Sequence, residues 1–360
     1  MKNINVAIFG LGNCACSLIQ AIYAAKSGVK IHGLESPTIN GFGIENLDIV
    51  AAYDVSDTKI GLDIAEAIWA EPNNSSRFFD VSERDVFVSA GVLQEGLTGP
   101  LRERICISPK VEDQSKTAIL RELNEKSVDV AVCYLPTGST KDVQFYAEVC
   151  LEANVAFINA CPERVAHDPV ISKKFFEKGI PLLGDDMRSH VGATAIHTAL
   201  LDFLNQRNIR IDDTYQLNIG GNSDFLNLSD PVRSNSKKGT KKAALFASGL
   251  PKDKEILAGP NGYAPFLNDR KIAFINIVGT SVLGMNLEID LKLSVEDSPN
   301  VVSIIVDAVR LAYSGKVHGA NYESALAHLF KNPPTGKSHE IAKRDYNSLI
   351  LGLDATENFA

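Results

Sequence analysis

An apolar run, "GIPLLG", ends abruptly in two adjacent carboxylates, Asp185 and Asp186, with the cation Arg188 just behind them. The stretch "SHVGAT" then leads into an amphipathic run, so two acids and a cation fall between the end of a strand and the start of a helix. Strand C-termini are where α/β sheets bind ligands. A second group of charges lies in "SKKGTKK", with Lys237, Lys238, Lys241 and Lys242 close together, and a further lysine, Lys271, follows in "NDRK". Such clusters are commonly solvated faces, so their spacing alone leaves a surface patch and catalysis both open. The seven histidines have no metal spacing, and His197, on a mixed helix, reads as structural. The six cysteines form no CxxC pair and lie mostly in apolar segments, which fits reduced thiols rather than a disulfide framework or zinc site.

A different chemistry is written near the N-terminus. Gly10-Leu11-Gly12-Asn13-Cys14-Ala15 fits G-x-G-x-x-G/A between a β-rich run and a helical one. The first glycine permits a tight turn and the second lets backbone approach a pyrophosphate. The alanine permits close helix–sheet packing, and the helix N-terminus offers N–H groups to phosphates. An ordinary strand–helix turn has the same look. Asp54 ends the next strand, further on than usual because of a loop-like insertion after Ala25. An acid there favours NAD over NADP by repelling a 2′-phosphate, although it also suits a helix cap. "YLPTGS" follows a buried strand, so Pro136, Thr137 and Gly138 can serve either as cofactor contacts or as a plain helix N-cap.

The elements that must position these residues alternate. Short apolar strands and helices succeed one another up to "IPLLGDD", which predicts a doubly wound parallel sheet with strands buried on both faces. After Ser189 the pattern changes to a long helix, a strand with a glycine break, the basic stretch and two alternating runs around Gly284, which read as antiparallel strands. "NVVSIIVDAVRLAYSG" resumes a helix that can pack back on the first sheet, and the end reads as a Pro-containing loop with a short helix or tail. The fold class expected is α/β: a Rossmann-like doubly wound parallel sheet with an inserted α/β catalytic and oligomerisation domain. Residues 1–188 and 300–360 form the dinucleotide-binding part, and 189–299 the insertion with its mixed or antiparallel sheet. The chain has 360 residues, 45% of them hydrophobic, which is enough for a large core. A net charge of −8 argues against nucleic acid or an anionic membrane as partner. No signal peptide pattern and no membrane-length apolar run is visible, so a cytoplasmic protein is expected.

Taken together, "GLGNCACSL", "YLPTGS", "NACP", "GDDMRSHVGAT", "QLNIGGNSDFLNL", "SKKGTKK", "NDRK" and "EDSPN" resemble the myo-inositol-1-phosphate synthase (inositol-3-phosphate synthase) family, of the shorter prokaryotic type. The resemblance implies NAD-dependent cyclisation of glucose 6-phosphate by oxidation at C5, enolisation, intramolecular aldol closure and re-reduction, in a homotetramer joined through the inserted sheet. It implies catalytic roles for Asp186, Arg188, Lys237, Lys241 and Lys271. Asp185 and Asp297 would lie near the nicotinamide, with Gly10, Gly12, Asn13, Cys14 and Asp54 also on the cofactor. Asp297 and Ser298 would hold a divalent or monovalent cation. One departure stands out: family members usually carry Lys in "GDD-x-K-S", and here the residue is Arg188. Arginine keeps the charge but does not readily give up a proton, which keeps a cyclase for another hexose phosphate, or a non-catalytic NAD-binding relative, as alternatives.

Overall fold

The computed structural model describes residues 3–233, 257–319 and 321–357, the last four of these by backbone alone. Six short apolar runs become strands β1 (Ile4–Phe9), β2 (Leu47–Asp54), β3 (Ser89–Ala90), β4 (Val130–Cys133), β5 (Ala156–Asn159) and β6 (Leu182–Leu183). They lie in the order β3-β2-β1-β4-β5-β6, every neighbouring pair parallel. The order reverses between β1 and β4, so a crevice opens beyond their C-terminal ends.

The described α-helices are α1 (Asn13–Lys26), α2 (Ile64–Ala67), α3 (Gly99–Arg104), α4 (Lys116–Glu125), α5 (Thr140–Glu152), α6 (Pro169–Glu177), α7 (Ala193–Gln206), α8 (Ser223–Asn227), α9 (Val302–His318), α10 (Leu326–Leu329) and α11 (His339–Glu357). Successive β1 side chains enter opposite cores. Ile4, Val6 and Ile8 pack with α1 and α9, while Ala7 and Phe9 pack with α4 and α5. The returning helix α9 is therefore part of the first sheet's core, buried almost along its whole length.

The second sheet comprises β7 (Arg210–Gly220), β8 (Leu257–Tyr263), β9 (Arg270–Thr280) and β10 (Asn286–Glu296), in the order β10-β9-β7-β8. The alternating runs around Gly284 form an antiparallel hairpin with unbroken register from Asn286↔Thr280 to Glu296↔Arg270. β8 joins β7 in parallel, so the sheet is mixed. Helix α7 lays Ala193, Leu201 and Leu204 against Ile211, Ala273, Ile275 and Ile277 on one face.

Two expectations change. The helix expected from near Ser189 begins at Ala193, with extended Gly192 as its N-cap. Residues 185–188 are drawn instead into pairing with 329–332. The expected tail is a long helix, α11, whose Tyr346 and Ile350 are buried in the first core. Among the described residues, no helix is long and apolar enough to cross a membrane.

Candidate active site

A cleft of about 330 Å³ runs from the glycine motif, across the ends of β1 and β4, to the start of α7 and the edge of the second sheet. Gly10 sits at φ +92°, and a Cβ there would meet the Tyr134 carbonyl oxygen at 2.9 Å, so this turn admits glycine alone. Nothing lies within 4 Å of where a Cβ of Gly12 would project, so the space at the N-terminus of α1 is open. Cys14 borders it as a neutral thiol, its pKa pushed up to about 12 by burial and by the charges of Asp269 and Asp297. Asp54 is largely occupied by protein: it accepts from Leu11 N–H at 2.9 Å, Val55 N–H at 2.8 Å and Ser56 N–H at 2.9 Å. Buried Lys59 lies 3.6 Å from Asp54 and donates to the Leu11 carbonyl at 2.8 Å, bracing the glycine turn from beneath. Asn13 borders the cleft, yet its amide donates to Asn74 at 2.7 Å and Asp269 at 3.0 Å.

The paired aspartates separate. Asp185 is fully buried, and four donors converge on its carboxylate: the N–H groups of Val165, Ala166 and His167 at 3.0–3.1 Å and the Asn159 amide at 2.7 Å. Burial raises its pKa and these donors oppose the rise. Although expected on the cofactor, Asp185 ties the 165–167 loop to the sheet and is not among the residues bordering the cleft. Asp186 does border it, at φ +59°, and pairs with Lys331 Nζ at 2.8 Å. Arg188 donates through Nε to the Phe330 carbonyl at 2.9 Å, and its backbone N–H donates to the Leu329 carbonyl at 2.9 Å. Burial lowers the Arg188 pKa and the Asp186 charge opposes this, so the group stays a cation.

From the second sheet, Lys271 is ion-paired to Asp297 at the cleft wall. Behind them Asp269, 0% exposed, accepts from Asn13, Asn222 and the hydroxyl and N–H of Ser298 at 2.9–3.1 Å. Burial and the neighbouring Asp297 charge push the Asp269 carboxyl up to about 6. This cluster stitches the glycine motif to "GGNSD" and "EDSPN". The cation expected at Asp297 and Ser298 is not supported. An ammonium already sits on Asp297, and among the described residues no group of three His, Cys, Asp or Glu is placed to hold a metal.

Pro136 and Thr137 border the cleft, but Gly138 does not. Gly138, at φ +97°, instead makes room for Arg233, whose Nη1 would lie 2.5 Å from an added Cβ. Arg233 donates to the carbonyls of Thr137 and Gly96, clamping this loop. Lys237 and Lys241, with Lys238 and Lys242, lie outside the described residues. His197 is buried and held neutral, its pKa lowered to about 4 by burial, with Nε2 2.7 Å from Thr214 Oγ1. Sequence reasoning missed Lys331, which carries no motif and reaches Asp186 from 145 residues away. It also missed Asp269 and Asn222, although both lie inside quoted segments, because spacing cannot reveal that a carboxylate is buried.

The family model described as myo-inositol-1-phosphate synthase matches residues 192–298. The inositol-3-phosphate synthase of Mycolicibacterium smegmatis is 38% identical over 360 residues, covering 97% of this chain and 98% of its own. The chain belongs to the inositol-3-phosphate synthase family. The synthase of Corynebacterium glutamicum is 36% identical, with 97% and 99% of the two chains covered. The structure of a myo-inositol-1-phosphate synthase-related protein from Thermotoga maritima superposes with a TM-score of 0.80 at 26% identity, covering 97% and 98%. The protein is thus an enzyme of the inositol-3-phosphate synthase type, built on the Rossmann-like fold of that family.

Proposed function

We propose that the protein cyclises glucose 6-phosphate to 1D-myo-inositol 3-phosphate, using NAD that is regenerated in each turnover. The observation that carries this reading is one cleft in which Asp186–Lys331, Arg188 and Lys271–Asp297 face the mouth of the glycine turn. NAD fits the residues present: the turn at Gly10, the open space at Gly12 and the α1 N-terminus offer backbone to a pyrophosphate, and the partnerless buried hydroxyl of Tyr134 borders the same cleft. When bound, NAD supplies a hydride acceptor and then a hydride donor at a sugar carbon.

The chain's own residues supply the rest. The first N–H groups of α7 have no partner within the helix and open on the cleft at Gly192, Ala193 and Thr194, where they suit a phosphate. Lys331, Lys271 and Arg188 provide positive charge where sugar oxygens become anionic during enolisation and ring closure. Lys331 and Lys271 each carry transferable protons on an ammonium held by a carboxylate, whereas Arg188 is a fixed charge. Two lysines within reach of a carboxylate partner let proton transfer proceed although arginine stands where the family usually has lysine.

The decisive experiment incubates the protein with NAD and glucose 6-phosphate and follows products by phosphorus NMR and reduced cofactor by absorbance. An inositol phosphate signal without accumulated NADH is expected; stoichiometric NADH with no cyclic product would overturn the reading. The second reading, the same chemistry on another hexose phosphate, is favoured by Arg188, whose planar fork differs from a lysine point charge. A panel including a ketose phosphate separates the two. Localisation in the cytoplasm accords with this substrate.

A further inference from the structure

We propose that Glu35, on the loop between α1 and β2, is a positioning residue for the cleft cations Arg188 and Lys331. This rests on the cyclase reading for its activity assay and on geometry for the rest. Segments 185–188 and 329–332 run antiparallel. Asp185 and Asn332 exchange backbone hydrogen bonds at 3.0 Å, Lys331 N–H donates to Asp186 O at 2.6 Å, and Arg188 N–H donates to Leu329 O at 2.9 Å. Each segment contributes one cation to the cleft. At the end of this ladder the chains depart through His190 and His328, and both rings approach a single oxygen. His190 Nδ1 lies 3.3 Å and His328 Nε2 3.4 Å from Glu35 Oε1. Lys343 of α11 contacts the other oxygen. None of these four residues borders the cleft.

Glu35 is itself fixed to the core. Its N–H donates to Ser303 Oγ of α9 at 2.7 Å. The following residues are clamped by buried Arg310, which donates to the carbonyls of Ser36, Pro37 and Phe42 at 2.9–3.0 Å. A rigid path thus runs from α9 through Glu35 to the shared end of the two cation-bearing segments.

An anion suits this point: Lys343 is ion-paired to Glu35, and the rings of His190 and His328 lie against its other oxygen. Burial lowers the pKa of His339, and the nearby Arg188 charge adds to this. Asp307, the neighbouring carboxylate, is engaged by Arg310 and by Tyr346. The histidines and Lys343 hold the Glu35 carboxyl well below the usual carboxylate range. Loss of that charge releases both segments at this end of the ladder, and catalytic groups displaced by about 1 Å lose up to ~10²-fold in rate.

The test compares wild type with Glu35→Gln, which keeps the shape without the charge, and Glu35→Asp, which keeps the charge on a shorter stem. Hydrogen exchange should quicken in peptides spanning 185–192 and 326–333 of the Gln variant and stay unchanged in 4–26. On glucose 6-phosphate, kcat should fall roughly 10- to 100-fold with NAD affinity unchanged, and the Asp variant should recover part of the loss. If wild type itself forms no cyclic product, the cyclase reading fails, and the exchange pattern still decides the positioning. Unchanged exchange in both peptides, or wild-type kcat in the Gln variant of an active enzyme, overturns the inference. So does a uniform rise in exchange that includes 4–26, since it would mark a general loss of stability.

Discussion

Arg188 is held at its backbone by Leu329 and at its side chain by Phe330, which leaves its guanidinium charge facing the cleft with little freedom to move. Arg188→Lys should preserve or raise turnover of glucose 6-phosphate, because lysine keeps the positive charge and adds a proton that can be transferred. Arg188→Met should lose turnover by ~10²–10³-fold, the usual consequence of removing one preorganised charge stabiliser. Steady-state rates near wild type for both variants would remove Arg188 from the chemistry. Asp269 makes a different kind of prediction. Its carboxyl is raised from 3.8 to about 6, so the folded protein holds a proton that the unfolded chain releases earlier. The stabilisation from this group is full below the unfolded value and is lost as pH rises through about 6. Relative to Asp269→Asn, wild type should therefore lose Tm between about pH 4 and about pH 7; parallel melting curves across that range would contradict the assignment. Asp186, Arg188 and Lys271, which border the cleft, were legible as candidates because they stand in motifs. The surroundings of Asp185 were not legible, since the donors that engage it come from the 165–167 loop, which no local pattern connects to it.

At the level of elements, period and punctuation carried far. The β1–Gly10–α1 unit and the hairpin around Gly284 follow directly from alternation, helical spacing and glycine. What escaped was long-range pairing. Before α7, which starts at Ala193, residues 185–188 pair with 329–332 and His190 and Val191 are bonded to Asn300, and nothing near Ser189 announces either partner. Likewise α11 looks polar along most of its length, and its burial depends on a few contacts. Tyr346 is one of these: its hydroxyl donates to Asp307 and lies 2.8 Å from Ser36 Oγ. Tyr346→Phe would leave the buried Asp307 short of a donor, at a cost of about 1–3 kcal/mol. The measurement is the denaturant midpoint; an unchanged midpoint would mean that the Tyr346 hydroxyl adds nothing to the hold of α11 on Asp307 and Ser36.

For the whole molecule, the second sheet turns one face to α7 and the other outward. Tyr215 and Leu217 share the outward face with Phe274 and Leu257, as their register requires. Phe274 and Tyr215 are each 38% exposed and Leu257 56%. Large apolar side chains grouped on one sheet face mark an interaction surface, and we propose that it joins copies of this chain into a tetramer. Phe274→Glu should reduce the mass measured by light scattering while leaving the monomer folded by circular dichroism. A wild-type protein that elutes as a monomer would dismiss the surface as an oligomer contact.

The ladder between 185–188 and 329–332 also bears on how the protein is made. Every strand of both sheets precedes residue 297, and chains emerge from the ribosome N-terminus first. The partner of Asp186 nevertheless arrives 145 residues after it, and Lys343, the anchor behind it, later still. A nascent or prematurely terminated chain can therefore own the glycine turn, both sheets and the Lys271–Asp297 pair while lacking the ion pair that finishes the site. Completion of this side of the cleft therefore waits on residues 329–332, which are made well after both sheets.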